Sequence, residues 1–201
     1  MKRININSQQ THFIGCWNLE NNKLCNEITQ FFENNKELQI QGITSYSKDL
    51  KAKKTTDIPV NPHDLKNKKF EVLKQYMDEL YKCFIDYQNQ WPFLKSVIKV
   101  VDVPGFNIQK YSRGDHFSQL HSERTTLDTL HRLFAWMTYL NDVGDGGQTN
   151  FNHYGIKIKP ETGKTLIWPA EWTHAHTGEI LKSGTKYIVT GWMNFPIGKY
   201  E

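Results

Sequence analysis

The sequence has few cysteines and no cysteine motif that would hold a zinc ion or a disulfide framework. Among its 201 residues are three cysteines, Cys16, Cys25 and Cys83, and none of them stands in a CxxC pair. Three thiols cannot all pair, so we do not expect a fold that depends on disulfide bonds. Unpaired cysteines are typical of reducing compartments, and we therefore expect a cytoplasmic protein whose cysteines are small core residues.

Long hydrophobic runs and a strong charge of one sign are also missing. No stretch approaches the ~18 consecutive apolar residues that a membrane-spanning helix requires. The N-terminal segment, MKRININSQQ, has basic side chains but lacks the apolar run of a secretory signal. The 25 Lys and Arg against 21 Asp and Glu leave a formal net charge of +4. This balance favours neither a membrane nor a nucleic acid as the partner.

Length and composition indicate one folded domain. A chain of 201 residues with 38% hydrophobic and 13% aromatic residues can bury a substantial core. We expect a single domain over residues 1–201, in which 1–96 form helical support and a loop region. Residues 97–201 are expected to form a β-rich core.

The N-terminal part predicts two helices. Apolar residues recur at helical spacing after Asn21 and Asn22, either of which could cap the first helix. A second apolar stripe predicts a longer helix that begins at Asn61-Pro62 and ends near Trp91-Pro92. We expect this second helix to lie against a sheet.

Between the two helices, residues 39–61 are polar, β-branched and rich in lysine, without a clear period. This pattern predicts an irregular loop with at most one short strand. Two interpretations of its lysines stay open, a solvated loop face or a lid that covers a substrate. The lysines concerned are Lys48, Lys51, Lys53 and Lys54.

After residue 97 the sequence changes to short runs rich in β-branched and aromatic residues, separated by Gly and Pro turns. The runs are SVIKVV, FNIQKY, HFSQLH, RLFAWMTYL, TNF, KTLIWP and KYIVTGWMNF. Helices followed by about seven short strands are typical of an antiparallel barrel or double-sheet sandwich with helices packed on one side. We therefore predict a mostly β fold, a jelly roll packed against N-terminal α-helices.

Histidine and glutamate stand where they could hold a metal ion. His121 and Glu123 are two residues apart in a strand-like run, so their side chains share one face. Far along the chain, His174 and His176 supply further imidazoles. Two imidazoles and one carboxylate leave three coordination positions open, which is typical of non-haem Fe(II) sites that use oxygen. A single HxE pair is weak evidence, and the interpretation depends on the residues around it.

Those surrounding residues occur in an order that resembles a known family. Residues 109–192 resemble the 2-oxoglutarate-dependent Fe(II) dioxygenases, and within them the prolyl 4-hydroxylase-like branch. The resemblance implies a double-stranded β-helix, the cupin-like jelly roll. The matching residues are Tyr111-x-x-Gly114, Phe117, His121-x-Glu123, Arg132, Tyr139-Leu140-Asn141, Gly146-Gly147-x-Thr149-x-Phe151, Pro160-x-x-Gly163, Pro169, Trp172, His176-x-Gly178, Gly184-x-Lys186-Tyr187 and Trp192.

By this resemblance the iron ligands, and with them the catalytic centre, are His121, Glu123 and His176. His174 is the rival for the second histidine, but the HxG pattern and the ten-residue spacing to Lys186 favour His176. The family usually has Asp where this chain has Glu123. Because the charge and the ligand atom are retained, we expect metal binding with the carboxylate in a shifted position.

The resemblance also implies the residues that hold the cosubstrate. Lys186 would bind the distal carboxylate of 2-oxoglutarate, and a buried lysine does need an anionic partner. Tyr139 would donate its hydroxyl to the same carboxylate, and Tyr111 matches a tyrosine that lines the pocket. Thr190 shares the inward face of its strand with Lys186 and completes the expected cofactor-binding set.

The implied activity is hydroxylation of a C–H bond with Fe(II), 2-oxoglutarate and O2, and ascorbate is a further candidate cofactor. The expected partner is a peptide or a small molecule, with a prolyl residue or a free amino acid as the first candidate. Two alternatives stay open. One is an oxygenase that acts on a nucleobase or another small metabolite, although Lys186 replaces the arginine typical of nucleic-acid demethylases. The other is a catalytically weak binding module with a degenerate site that uses the loop 39–61.

Overall fold

Antiparallel strands make up most of the structure, a computed structural model that describes residues 1–8, 10–42 and 51–196. The strands are β1 (Lys2–Arg3), β2 (Gly15–Asn18), β3 (Ile40–Gln41), β4 (Lys53–Lys54), β5 (Thr56–Val60), β6 (Phe106–Tyr111), β7 (His116–His121), β8 (Arg132–Tyr139), β9 (Thr149–Phe151), β10 (Ile156–Ile158), β11 (Lys164–Pro169), β12 (His176–Gly178) and β13 (Lys186–Asn194). The helices are α1 (Asn22–Asn34), α2 (Glu71–Gln90) and α3 (Pro92–Val97).

The strands form two antiparallel sheets. The larger sheet has the order β1-β2-β11-β8-β13-β6-β5-β3, and the smaller one has the order β10-β9-β12-β7-β4. Consecutive strands of the chain alternate between the sheets at several places, for example from β4 to β5 and from β6 to β7. This double-sheet arrangement with N-terminal helices confirms the predicted jelly roll.

The two faces of the larger sheet are covered by different partners, as the side-chain alternation of β8 shows. Phe134 and Trp136 belong to the core that packs against α1 and α2, whereas Met137 and Tyr139 belong to the core between the sheets. On the helical side, the hydroxyls of Tyr76 and Thr138 are hydrogen-bonded at 2.7 Å. Because successive strand residues point to opposite faces, a single strand supplies both cores. The helices thus support the sheet from behind and leave its inner face available.

The first helix begins where the sequence predicts. The side chain of Asn21 accepts a hydrogen bond from the backbone N–H of Leu24 at 3.1 Å, which satisfies one of the free donors in the first turn. The second helix does not begin at Asn61-Pro62, and that prediction is wrong. Two 3-10 turns precede α2, and the side chains of Asp64 and Asn67 accept backbone hydrogen bonds within them. These local bonds compete with a continuous helix.

Two further expectations need correction. The run SVIKVV is not a strand: α3 ends at Val97, and residues 98–101 form no strand, although the following Asp102 bridges to Asn194. The segment 39–61 has more order than expected, since it contains β3, β4 and β5. The strand β5 pairs over its full length with β6, and this pairing outweighs the polar composition of the segment.

The lysines of this segment have different environments. Lys51 and Lys54 are exposed, as the solvated interpretation expects, but Lys53 is buried, which contradicts it. Lys48 lies outside the described residues, and so do residues 43–50 of the expected lid. The cysteines are buried and unpaired, as predicted. Among the described residues, no helix combines the length and apolar character needed to cross a membrane.

Candidate active site

A cavity of about 640 Å³ opens between the two sheets. Its walls come from β5, β6, β8 and β13 of the larger sheet and from β7 and β12 of the smaller one. The inner faces of these strands bring together most of the residues that the sequence singles out. His121, Glu123 and His176 lie in one part of the cavity wall, and Lys186 lies in another.

The histidines meet because their strands are neighbours. In the pairing of β12 with β7, His176 is directly opposite His121. The Nε2 atoms of His121 and His176 lie 3.7 Å and 3.4 Å from Oε1 of Glu123. All ligand atoms of the three residues are within 4.8 Å of one another. Adjacent ligands about 2.1 Å from a shared ion would be about 3 Å apart, so small shifts would close this group around a metal.

The hydrogen bonds of the two imidazoles leave the correct nitrogen available. Nδ1 of His121 lies 2.8 Å from the carbonyl of Gln119, and Nδ1 of His176 lies 2.9 Å from the carbonyl of His174. A carbonyl only accepts, so Nδ1 carries the proton and Nε2 presents its lone pair to the centre of the group. Burial, together with the nearby His176, lowers the pKa of His121 to about 4. His121 is therefore neutral at physiological pH, as a metal ligand must be.

The carboxylate of Glu123 is oriented by Trp192. The indole Nε1 of Trp192 donates to Oε2 of Glu123 at 2.7 Å, so that Oε1 is left to face the histidines. Burial alone would raise the pKa of Glu123, but the neighbouring His176 and His121 and the hydrogen bond from Trp192 outweigh it and lower that pKa to about 2. Glu123 is therefore an ionised, acceptor-only group with one oxygen aimed at the candidate metal position.

His174, the rival histidine, has a different role in the fold. Its Nε2 lies 2.8 Å from the carbonyl of His12, and its Nδ1 lies 3.0 Å from the Thr173 hydroxyl. Both ring nitrogens thus have partners outside the cluster, and the group that could hold a metal contains His176 instead. The side chain of His174 ties the N-terminal segment to the turn before β12.

Lys186 is buried in the cavity wall with few partners. Its Nζ donates to the carbonyl of Gly147 at 3.0 Å and lies 4.0 Å from the ring centroid of Tyr111, its register partner on β6. No carboxylate forms an ion pair with Lys186 within residues 1–8, 10–42 and 51–196. Burial lowers its pKa from 10.5 to about 7, and the more distant charge of Glu179 opposes this shift. A buried ammonium without a counter-ion is well suited to an incoming carboxylate.

Tyr139 and Thr190 are placed differently from what the resemblance suggests. The Tyr139 hydroxyl is hydrogen-bonded to Thr149 Oγ1 at 2.6 Å, and it is Thr149 that lines the cavity. Thr190 lines the cavity, but its hydroxyl donates to the carbonyl of Trp136 at 2.8 Å. A direct hydrogen bond from Tyr139 to 2-oxoglutarate stays a prediction, and it would require Thr149 to be the donor in the Tyr139–Thr149 bond.

The sequence analysis missed several polar residues of the cavity wall. Gln109 and Asn107 share the inward face of β6 with Tyr111, and this alternation in FNIQKY could have identified them. Lys53 and Asp57 also line the cavity, but no sequence signal distinguishes Lys53 from the exposed lysines around it. Together these residues make the wall beside Tyr111 strongly polar.

The comparison with family models agrees with this geometry. The model of the 2OG-Fe(II) oxygenase superfamily matches residues 106–194, which is the segment from β6 to the end of β13. The match covers slightly less than half of the chain, and over this segment the chain is similar to the 2OG-Fe(II) oxygenase superfamily. The matched segment contains His121, Glu123, His176 and Lys186, so the superfamily's core coincides with the cavity.

The curated relatives are prolyl 4-hydroxylases. The prolyl 4-hydroxylase subunit alpha-1 of Homo sapiens is 24% identical over 98 residues, which cover 45% of this chain and 17% of that protein. The Gallus gallus protein of the same name is also 24% identical over 98 residues, with 18% of its length covered. The matched segment is thus less than a fifth of the length of these relatives.

Solved structures with the same fold are also prolyl hydroxylases. A viral collagen prolyl hydroxylase from Paramecium Bursaria Chlorella virus-1, in its 2OG complex, has a TM-score of 0.65 at 18% identity over 92% of this chain and 96% of its own. A Pseudomonas putida prolyl-4-hydroxylase has a TM-score of 0.70 at 16% identity, with 92% and 94% covered. A Trichoplax adhaerens prolyl hydroxylase in complex with a hypoxia inducible factor peptide fragment reaches 0.71 at 14% identity, with 92% and 84% covered. At these identities the likeness shows the fold.

The donor set of the cavity fits the metal and the cosubstrate for which the matching superfamily is named. Two imidazoles and one carboxylate, with no thiolate in the cluster, are ligands that suit Fe(II). The buried ammonium of Lys186 fits one end of a dicarboxylate. The cavity therefore has a place for both groups.

Proposed function

We propose that the protein is an Fe(II)- and 2-oxoglutarate-dependent dioxygenase that hydroxylates a prolyl residue of a peptide or protein. The observation that carries this proposal is the convergence of His121, Glu123 and His176 in one cavity with a buried ammonium at Lys186, which donates to the backbone carbonyl of Gly147. Neither half would suffice alone, because a metal cluster fits many reactions and a buried lysine fits many anions. Together they match a metal and a dicarboxylate held side by side.

When bound, Fe(II) and 2-oxoglutarate supply the activation of O2, and 2-oxoglutarate is converted to succinate and carbon dioxide. The chain supplies the environment for this chemistry. His121, His176 and Glu123 would hold the ion. Lys186 would neutralise the distal carboxylate of 2-oxoglutarate, a charge-assisted contact that would also orient the molecule. Met137 and Trp168 add apolar surface to the cavity wall.

The proposed substrate rests on the relatives and on the shape of the site. The relatives named above are prolyl hydroxylases, and one of the solved structures holds a peptide. The cavity is open to solvent beside Leu120, an exposed side chain at its wall, which leaves room for a chain on either side of the reacting residue. We also assign the whole chain to one oxygenase domain, since structures of similar length match 92% of it.

The test is an incubation with Fe(II), 2-oxoglutarate and proline-containing peptides, followed by mass spectrometry. We expect a mass gain of one oxygen atom on proline and one succinate for each product molecule. The His176→Ala variant and a reaction without 2-oxoglutarate serve as controls. Succinate without any oxidised peptide would leave the oxygenase activity standing and reject the prolyl substrate, whereas no succinate with any substrate would reject the activity itself.

A further inference from the structure

A buried ion pair lies in the wall of the cavity, apart from the candidate metal ligands. Nζ of Lys53 is 2.8 Å from Oδ2 of Asp57, and each side chain is only 6% exposed. Lys53 belongs to β4 of the smaller sheet and Asp57 to β5 of the larger one. The pair therefore bridges the corner where the chain passes from one sheet to the other. None of the roles described above uses it.

Asp57 is the centre of a hydrogen-bond network. The Thr55 hydroxyl donates to Oδ1 of Asp57 at 2.7 Å, and Nε2 of Gln109 donates to Oδ2 at 3.2 Å. Oε1 of Gln109 in turn accepts a hydrogen bond from the hydroxyl of Tyr111 at 2.9 Å. A buried ion pair by itself contributes little to stability. Stability alone therefore does not explain why this network extends to Tyr111.

Asp57 determines the direction of the hydrogen bonds in this network. A carboxylate in an ion pair only accepts, so the NH2 group of Gln109 must face Asp57, and the amide oxygen of Gln109 must face Tyr111. Burial, with a contribution from the charge of Asp57, raises the pKa of Tyr111 well above its ordinary value of 10. The Tyr111 hydroxyl therefore keeps its proton and donates it to Gln109, and the ring is anchored at its outer end.

The other side of the Tyr111 ring supports Lys186. The ammonium of Lys186 is 4.0 Å from the ring centroid, within the range of a cation–π interaction. Its Nζ also donates a hydrogen bond to the carbonyl of Gly147. If the ring rotated, the ammonium would lose one of its two supports and would sample other positions.

We propose that Asp57 and Gln109 are positioning residues for 2-oxoglutarate. They hold the Tyr111 ring under the ammonium of Lys186, and Lys53 balances the charge of Asp57. The inference rests on the proposed function, because it takes the distal carboxylate of 2-oxoglutarate as the group that Lys186 binds. It adds that Asp57 and Gln109, near the junction of the two sheets, set the orientation of the Lys186 ammonium.

The first test measures the affinity for 2-oxoglutarate by calorimetry, with Mn(II) in place of iron so that no turnover occurs. Gln109→Leu removes the acceptor of Tyr111, and we expect the dissociation constant to rise about 3- to 10-fold, which corresponds to the loss of one buried hydrogen bond. At saturating 2-oxoglutarate, kcat should stay within a factor of about two, so the effect falls on KM. Asn107→Leu is the matched control, because Asn107 has the same side-chain chemistry on the same strand face outside the network.

The second test reads Tyr111 directly, without metal or cosubstrate. In protein labelled with 3-fluorotyrosine, the ¹⁹F signal of Tyr111 is identified by its loss in Tyr111→Phe. We expect this signal to shift or broaden in Gln109→Leu and in Asp57→Asn. In Asp57→Asn the new amide can both donate and accept, so it no longer fixes the direction of the Gln109 amide. The signal should stay in place in Asn107→Leu. If Gln109→Leu does not fold, the nearly isosteric Gln109→Met, which also lacks the acceptor for Tyr111, decides both tests.

The two hypotheses fail in different ways. A wild-type protein that does not bind 2-oxoglutarate, or a Lys186→Ala variant that binds it equally well, would reject the proposed function and the inference with it. Normal 2-oxoglutarate affinity in Gln109→Leu, or an unchanged Tyr111 signal in both network variants, would reject the positioning role alone. In that case the proposed function would stand.

Discussion

The low pKa of Lys186 predicts that the affinity for 2-oxoglutarate falls as the pH rises above 7. In the protein without ligand, burial lowers the pKa of Lys186 to about 7, and the groups that face it do not compensate: Tyr111 is neutral and Glu179 is distant. A bound carboxylate would restore the charged form, so binding at alkaline pH must take up a proton. The competent fraction of the free protein is the fraction in which Lys186 is protonated.

The magnitude follows from that fraction. With a pKa of about 7, one eleventh of the free protein is competent at pH 8, so the apparent dissociation constant is roughly 11-fold higher than its low-pH limit. At pH 9 the same relation gives about 100-fold. The carboxylates of 2-oxoglutarate are ionised throughout this range and contribute nothing to the slope.

Calorimetry with Mn(II) between pH 6.5 and 9, in buffers of different ionisation enthalpy, measures both the affinity and the proton uptake. Lys186→Arg is the matched control, since a guanidinium stays charged over the whole range and its affinity should not depend on this titration. Any pH dependence that arises at the metal would be common to both proteins and cancels in their ratio. A wild-type to Lys186→Arg ratio that stays constant with pH, without proton uptake, would refute the reasoning.

The remaining predictions concern stability and the metal group. Lys186→Met should stabilise the ligand-free protein by about 2–4 kcal/mol at pH 7, which would be measured as a higher Tm. The pKa of Lys186 is lower in the folded than in the unfolded protein, so burying its charge destabilises the fold. This destabilisation is complete below pH 7 and disappears toward pH 10.5. His121→Ala and His176→Ala should abolish succinate formation with unchanged circular dichroism, and turnover in either would exclude that ligand. Trp192→Phe removes the donor that orients Glu123, and a metal titration should show roughly 10- to 100-fold weaker binding.

The sequence predicted the core of the fold because its strands are bounded by clear turns. Six of the seven predicted runs are strands, and their ends agree closely with the structure, as FNIQKY and HFSQLH show for β6 and β7. The failures lie where local and long-range preferences conflict. SVIKVV has β-branched residues but no neighbouring strand to pair with, whereas the polar segment of β5 finds a partner in β6. Strand propensity describes how well a residue fits a sheet, and it does not supply the pairing partner.

The candidate site was predictable where spacing along one strand determines it. Lys186 and Thr190 share a face of β13 by the two-residue period alone, whereas Glu123 lies two residues beyond the end of β7 and reaches His121 from outside the strand. That His176 rather than His174 joins the cluster depends on the register between β12 and β7, which the resemblance implied and the residues alone left open. The burial of Lys53 was beyond the sequence for the same reason, since it depends on how β4 and β5 divide between the sheets.

Glu123 stands where the related family usually has aspartate, and the structure shows how the longer side chain is held. An extra methylene gives the carboxylate of Glu123 more freedom, and a free side chain would lose entropy when it binds a metal. Here the indole of Trp192 holds Oε2, and Nη1 of Arg132 donates to the Glu123 backbone carbonyl at 2.9 Å while its guanidinium lies 3.8 Å over the Trp192 ring. The side chain is thus fixed at both ends before any ion arrives. The longer carboxylate is therefore compatible with a preorganised ligand set, and Trp192 and Arg132 make it so.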